Sequence, residues 1–189
     1  MRSVLALAAL TGLAACMDGG APGPALPDSG AAPEIAAGTV LPFGQVGRVC
    51  GLSDSALGTP VETAAQYTLW DSAAGSVEPR THYVTGIQGG CAVQFTAAMV
   101  LFGDVATHEA MRYRGDSADR PWSAVDTAYE EVKAAYCGVP SGQPCGERAE
   151  DLAARTAFVT AYEAFGAGDR FAEILLYQGQ VAAAGLKEF

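Results

Sequence analysis

The chain has 189 residues, 50% of them hydrophobic and 17% charged, with 11 basic against 21 acidic residues for a formal charge of −10. Nucleic acid and anionic lipid faces attract basic surfaces, so this balance excludes nucleic acid as a partner. The apolar content is ample for a folded core, and the acidity reads as solubility.

The first fifteen residues read as a secretory signal. Arg2 gives a positive start, and residues 4–15, VLALAALTGLAA, carry no charge. A positive lead, an apolar core of about 7–15 residues and small residues at its end define such a signal. The run is shorter than the roughly 20 apolar residues a membrane-spanning helix needs. In LTGLAACMDGG, the residues Leu13, Ala14, Ala15 and Cys16 resemble the lipobox of bacterial lipoproteins. The resemblance implies cleavage before Cys16, a diacylglycerol on its sulfur and acylation of the new amino group. One acyl chain binds a bilayer only marginally, whereas two or three hold it stably. Met17 rather than Asp follows Cys16, which in that family implies the outer membrane, facing the periplasm.

Residues 16–38 follow as a Gly/Pro/Ala tether. Positions 17–38 hold four Pro and five Gly and no aromatic residue. Such a stretch buries too little apolar surface to offset its ordering entropy, so disorder is expected. Its reach is about 25 Å as a random coil and about 70 Å as polyproline. Residues 39–189 then have the common length of one globular domain.

Along that domain, VGRVCGL (46–52), QYTLWD (66–71), THYVTGI (81–87) and CAVQFTAAMVLF (91–102) read as strands set apart by Gly, Pro and Ser. DVATHEAMRY (104–113) reads as a helix begun by Asp104. In SAVDTAYEEVKAAY (123–136), apolar residues at 125, 128, 129, 132, 135 and 136 make one stripe, capped by Ser123 and stopped by Gly138 and Pro140. GERAEDLAARTA (146–157) offers a third helix. TAFVTAYEAF (156–165) reads as a strand by its Thr, Val and aromatic content, or as an extension of that helix. FAEILLYQGQVAAAGL (171–186) reads as two strands around Gly179. Strands, then helices, then strands predict an α+β fold: an antiparallel sheet with two or three helices on one face.

Cys50, Cys91, Cys137 and Cys145 are an even set for an exported chain. CGVPSGQPC is a Gly/Pro turn that brings its ends together, so Cys137 pairs with Cys145 and leaves Cys50 for Cys91. A metal site is disfavoured, because no two Cys are two apart and the chain has two His. No metal and no cofactor are expected.

The chemistry is mostly ruled out. The sequence contains no nucleophile elbow, phosphate loop or dinucleotide fingerprint. His108 and Glu109 begin a zinc-protease pattern, but Arg112 stands where its second His belongs. A helix-surface His beside a Glu is the plainer reading. His82 alternates within a strand, and Arg114, Gly115 and Asp116 form a short tripeptide motif that fits a loop. Arg112, Arg114 and Arg120 with Tyr113 and Trp122 are a candidate interface, since Arg and aromatics concentrate at binding hot spots. The glycines of TGIQGGC (85–91) permit close backbone approach.

The expectation is a lipid-anchored envelope protein that binds or positions an envelope protein partner without catalysis. The alternatives are a hydrolase of envelope material using His108 or Glu109, or a small-ligand carrier. Residues 39–189 loosely resemble uncharacterised proteobacterial lipoproteins, a likeness that implies no activity.

Overall fold

Short alternating segments broken by Gly, Ser and Pro fold as strands through the first half of the chain. In the computed structural model, which describes residues 32–113, 121–166 and 170–188, these are β1 (Val46–Cys50), β2 (Thr59–Ala64), β3 (Tyr67–Asp71), β4 (Arg80–Thr85) and β5 (Cys91–Ala97). One helical turn, α1 (Asp54–Leu57), separates the first two. The strands form an antiparallel sheet in the order β1-β5-β4-β3-β2. A second antiparallel sheet, in the order β6-β7-β8-β9, comprises β6 (Met99–Gly103), β7 (Thr156–Tyr162), β8 (Arg170–Tyr177) and β9 (Gln180–Glu188).

The segment 91–102, read as one strand from its composition, is thus two. Its break is Ala98, 1% exposed, whose amide donates to the Tyr162 carbonyl at 2.8 Å. The Ala98 carbonyl accepts from Arg80 Nη1 at 2.8 Å. With both backbone groups bound outside the first ladder, the chain crosses from one sheet to the other.

The two sheets face each other across a core of Tyr67, Leu69, Val84, Val93 and Phe95 on one side and Val159, Ala161, Ile174 and Leu176 on the other. The opposite face of the second sheet buries Phe158, Leu175, Tyr177 and Ala183 against the helices. β8 therefore has two apolar faces, which explains its unbroken FAEILLY run. The helices are α2 (Val105–Arg112), α3 (Ala124–Cys137) and α4 (Ala149–Ala153). The fold is α+β, with α2, α3 and α4 on the outer face of the second sheet, the α1 turn on that of the first, and strands shared between two sheets rather than gathered in one.

Local signals explain the helix ends. Asp104 accepts the Thr107 amide at 2.6 Å to start α2. Ser123 and Asp126 form a reciprocal capping box on α3, and Gly138 closes it with φ of 72°. The segment 146–157 is helical only from Ala149 to Ala153, after a 3-10 turn at Gly146–Arg148. The ambiguous 156–165 segment is β7, drawn into the sheet by its burial between two layers.

Residues 32–38, assigned by composition to the tether, lie on the fold. Ile35 donates to the Arg48 carbonyl at 2.9 Å, and Arg48 donates to Pro33 at 2.8 Å. Ile35 also packs beside Val49, Leu57, Tyr83 and Ala92, the apolar cluster on the outer face of the first sheet. Pro and Gly content hid this one apolar side chain. The remainder of the tether, the signal segment and Cys16 lie outside the described residues.

Cys50 and Cys91 are register partners across β1 and β5 and are joined, with Cα atoms 4.0 Å apart. Cys137 and Cys145 are joined as well, at 5.4 Å. The bridges span 41 and 8 residues respectively. Constraint of the unfolded chain grows with loop length, so Cys50→Ser should cost about 4 kcal/mol and Cys137→Ser about 2.5 kcal/mol. Urea unfolding of the two variants checks this, and a larger loss for Cys137→Ser would contradict it.

Candidate functional site

Four of the polar side chains that the sequence singles out, His108, Glu109, Arg112 and Tyr113, converge where α2, α3 and the Cys137–Cys145 loop meet the second sheet. Glu109 sits on the inner face of α2, 8% exposed. Its Oε1 accepts the Tyr129 hydroxyl at 2.7 Å and the Cys145 amide at 2.9 Å. This carboxylate ties the disulfide loop to two helices and is buried rather than on a helix surface.

His108 is enclosed as well. Its ring stacks on Phe158 with centroids 4.2 Å apart and meets Tyr129 edge-on at 4.6 Å. Its Nε2 lies 3.9 Å from Asp126 Oδ1, with the side chain 9% exposed. Burial pulls the imidazole down to about 4, against the pull of Asp126, so it is neutral at pH 7. Asp126 is a hub. Its Oδ2 accepts the Ser123 amide at 2.8 Å, and its Oδ1 lies 3.4 Å from Lys187 Nζ. Burial pushes its carboxyl up, but the Ser123 hydrogen bonds and Lys187 outweigh that and hold it below the usual range. Lys187 also meets Glu173 at 2.5 Å. Burial nonetheless raises the Glu173 carboxyl.

A second buried network surrounds Lys133, whose side chain is 0% exposed. Its ammonium donates to Glu130 at 2.7 Å and to the Tyr113 hydroxyl at 2.6 Å. Glu130 also accepts the Tyr113 hydroxyl, Ser141 Oγ at 3.0 Å and the Gly142 amide at 2.9 Å. Burial alone would raise the Glu130 carboxyl, but these donors hold it below its ordinary value. The Tyr113 phenol is pushed far up by burial and by the carboxylate that accepts its proton. Every member is satisfied, which is the condition for a buried polar network to favour one structure.

Two members of the candidate interface therefore face inward. Arg112 is 8% exposed, lies 4.0 Å from Asp126 and stacks over Trp122 at 5.2 Å. Tyr113 is committed to Glu130 and Lys133. Trp122 is 41% exposed, and Arg114 and Arg120 lie outside the described residues, as do Gly115 and Asp116.

The other singled-out segments have structural roles. TGIQGGC clasps the turn between β8 and β9: the Gln88 amide donates to Gly179 at 2.8 Å and its side chain to Gln178 at 2.9 Å. Gly86, with φ of 88°, sits where a Cβ would strike the Gln66 carbonyl. His82 is 2% exposed, stacks on Phe95 and is held neutral by burial. It adjoins Asp71, which pairs with Arg80 at 2.7 Å and 2.5 Å. That pair, which anchors the Ala98 crossing, was missed in the sequence; so were Asp126, Glu130, Lys133, Glu173 and Lys187. Only Glu130 and Lys133, at helical i,i+3 spacing, and Asp126, three residues after the capping Ser123, left a readable sign.

Among the described residues no group of three or more His, Cys, Asp and Glu is placed to hold a metal, and no helix is long and apolar enough to cross a membrane. An open groove of about 570 Å³ runs between α3, β9 and the stretch before β1. Its lining is mostly Ala, Gly, Val and Thr, with Glu131 the charged member, and neither His108 nor Glu109 reaches it. Compared with known proteins, the chain matches no family model, no curated protein and no solved structure.

The buried imidazole makes stability depend on pH. The unfolded chain takes up this proton near pH 6.5, and the folded one only near pH 4. Stability is therefore present above that window and lost as pH falls through it. His82 acts in the same direction and Glu173 in the opposite one. His108→Phe keeps a ring on Phe158 and removes the proton site. It should shrink the loss between about pH 7 and pH 5 by about 2 kcal/mol, read by urea unfolding. An unchanged pH dependence would contradict the placement of His108.

Proposed function

We propose that the chain is a bacterial lipoprotein, anchored through acylated Cys16 to the outer membrane and facing the periplasm, and that its domain binds or positions an envelope partner without catalysis. The observation that carries the anchoring is Leu13, Ala14, Ala15 and Cys16 closing an uncharged apolar run. Against the hydrolase reading, Glu109 has its donors already assigned within the fold, and His108 is clamped between two aromatic rings. A catalytic acid or base must instead reach its substrate within hydrogen-bond distance. Against the carrier reading, the space between the sheets is filled by side chains and the groove is open.

Cys16→Ala tests the anchoring. Expressed in a bacterial host and labelled with radioactive palmitate, the wild type should carry label and the variant none, with the variant left as uncut precursor. Equal labelling of both would reject the reading.

A further inference from the structure

Eight Lys and Arg side chains lie among the described residues, and six have a carboxylate within 4.0 Å. The other two, Arg148 and Arg155, have none among the described residues, in a chain of formal charge −10. Both guanidinium groups lie over one ring, Tyr136, with Cζ 4.3 Å and 5.3 Å from its centroid.

The fold holds these groups in place before any ligand arrives. Tyr136 adjoins Cys137, and the Cys137–Cys145 bridge fixes it beside the turn that carries Arg148. The Arg155 carbonyl accepts the Gln178 amide at 2.9 Å and the Tyr67 hydroxyl at 3.4 Å, which pins that residue between α4 and β7. Beneath them lies Tyr177, 2% exposed, the register partner of Thr156. Its hydroxyl is buried and has no hydrogen-bond partner among the described residues, and its ring belongs to the cluster against which Tyr136 packs. A buried hydroxyl without a partner is uncommon and calls for an explanation.

We propose that Arg148, Arg155 and the Tyr177 hydroxyl, assembled around Tyr136, form a binding site for an oxyanion, the carboxylate or phosphate of a small ligand. Guanidinium forks donate paired N–H bonds to either group, and stacking on the ring keeps them from collapsing onto local acids. Glu147, Glu150 and Asp151 share the segment without pairing to either arginine. The overall negative charge repels large polyanions, so the ligand is small or presents a single acidic group. This site is independent of the anchoring at Cys16. A chain without lipid should bind the same anion.

The test is titration of the purified full chain with succinate and, separately, with inorganic phosphate, followed by the guanidinium N–H resonances of Arg148 and Arg155. Saturable shifts are expected below about 10 mM with at least one of them. Response to succinate alone names a carboxylate ligand, and response to phosphate alone names a phosphoryl one. Binding, followed by calorimetry, should weaken at least about tenfold in R148Q/R155Q. Tyr177→Phe should weaken it several-fold while the thermal midpoint holds or rises, because only an unpaired hydroxyl is lost. No saturation with either anion, or undiminished binding in R148Q/R155Q, would overturn the site. Unchanged binding in Tyr177→Phe would overturn the role of the hydroxyl.

Discussion

Glu130→Leu should destabilise the protein by about 3–5 kcal/mol, a large share of the roughly 5–15 kcal/mol that holds a domain of this kind together. The substitution strands the Lys133 ammonium, 0% exposed, with the Tyr113 hydroxyl as its remaining hydrogen-bond partner. Ser141 and the Gly142 amide lose their acceptor as well. Lys133→Met should cost less, since Glu130 keeps three donors from Tyr113, Ser141 and Gly142. The double variant Glu130→Leu with Lys133→Met should recover much of the loss, because neither charge is then left buried alone. Urea unfolding of the three variants measures this. A double variant as unstable as both losses added would mean that the two side chains act separately.

Val132→Asp should leave no folded domain. Val132 is 1% exposed on the inner face of α3, which packs on β8, β9 and α4, in one cluster with Val125, Tyr129, Leu152 and Phe158. A carboxylate placed there has no cationic partner in that apolar cluster. Burying it costs several kcal/mol, enough to exhaust the stability of the domain. Far-ultraviolet circular dichroism and susceptibility to protease read the outcome. A cooperative thermal transition within about 5 °C of the wild type would contradict the packing described for α3.

How far these features can be read from residues alone depends on whether their causes are local. The ends of α3 are local: Ser123 and Asp126 box the start, Gly138 turns the end, and both signs are visible in the letters. The Gly/Pro turn between Cys137 and Cys145 is equally local. The burial of Asp126, Glu130 and Lys133 is not. They form a polar ridge beside the apolar ridge of Val125, Tyr129 and Val132, and periodicity alone places them toward solvent. What buries Glu130 comes from Tyr113 on one side and Ser141 and Gly142 on the other, brought in by the chain path. The same limit hides the sheet crossing at Ala98, since the residues around it favour a strand on both sides. β2 was missed for another reason. TPVETA is exposed along most of its length and carries Pro60 and Glu62, features that protect an edge strand from further pairing while erasing its hydrophobic signal. Arg112 shows the converse error: a charged residue in an Arg-rich stretch suggests a surface, yet Asp126 and Trp122 hold it inside.

Anchoring at Cys16 can be read from the intact mass and the N-terminal peptide of the wild-type protein purified from bacterial membranes. The expected mature chain begins at Cys16, carries the added mass of two or three acyl chains and partitions with the outer membrane. A mature chain that begins at any other residue, carries no acyl mass and remains soluble after membranes are pelleted would contradict it.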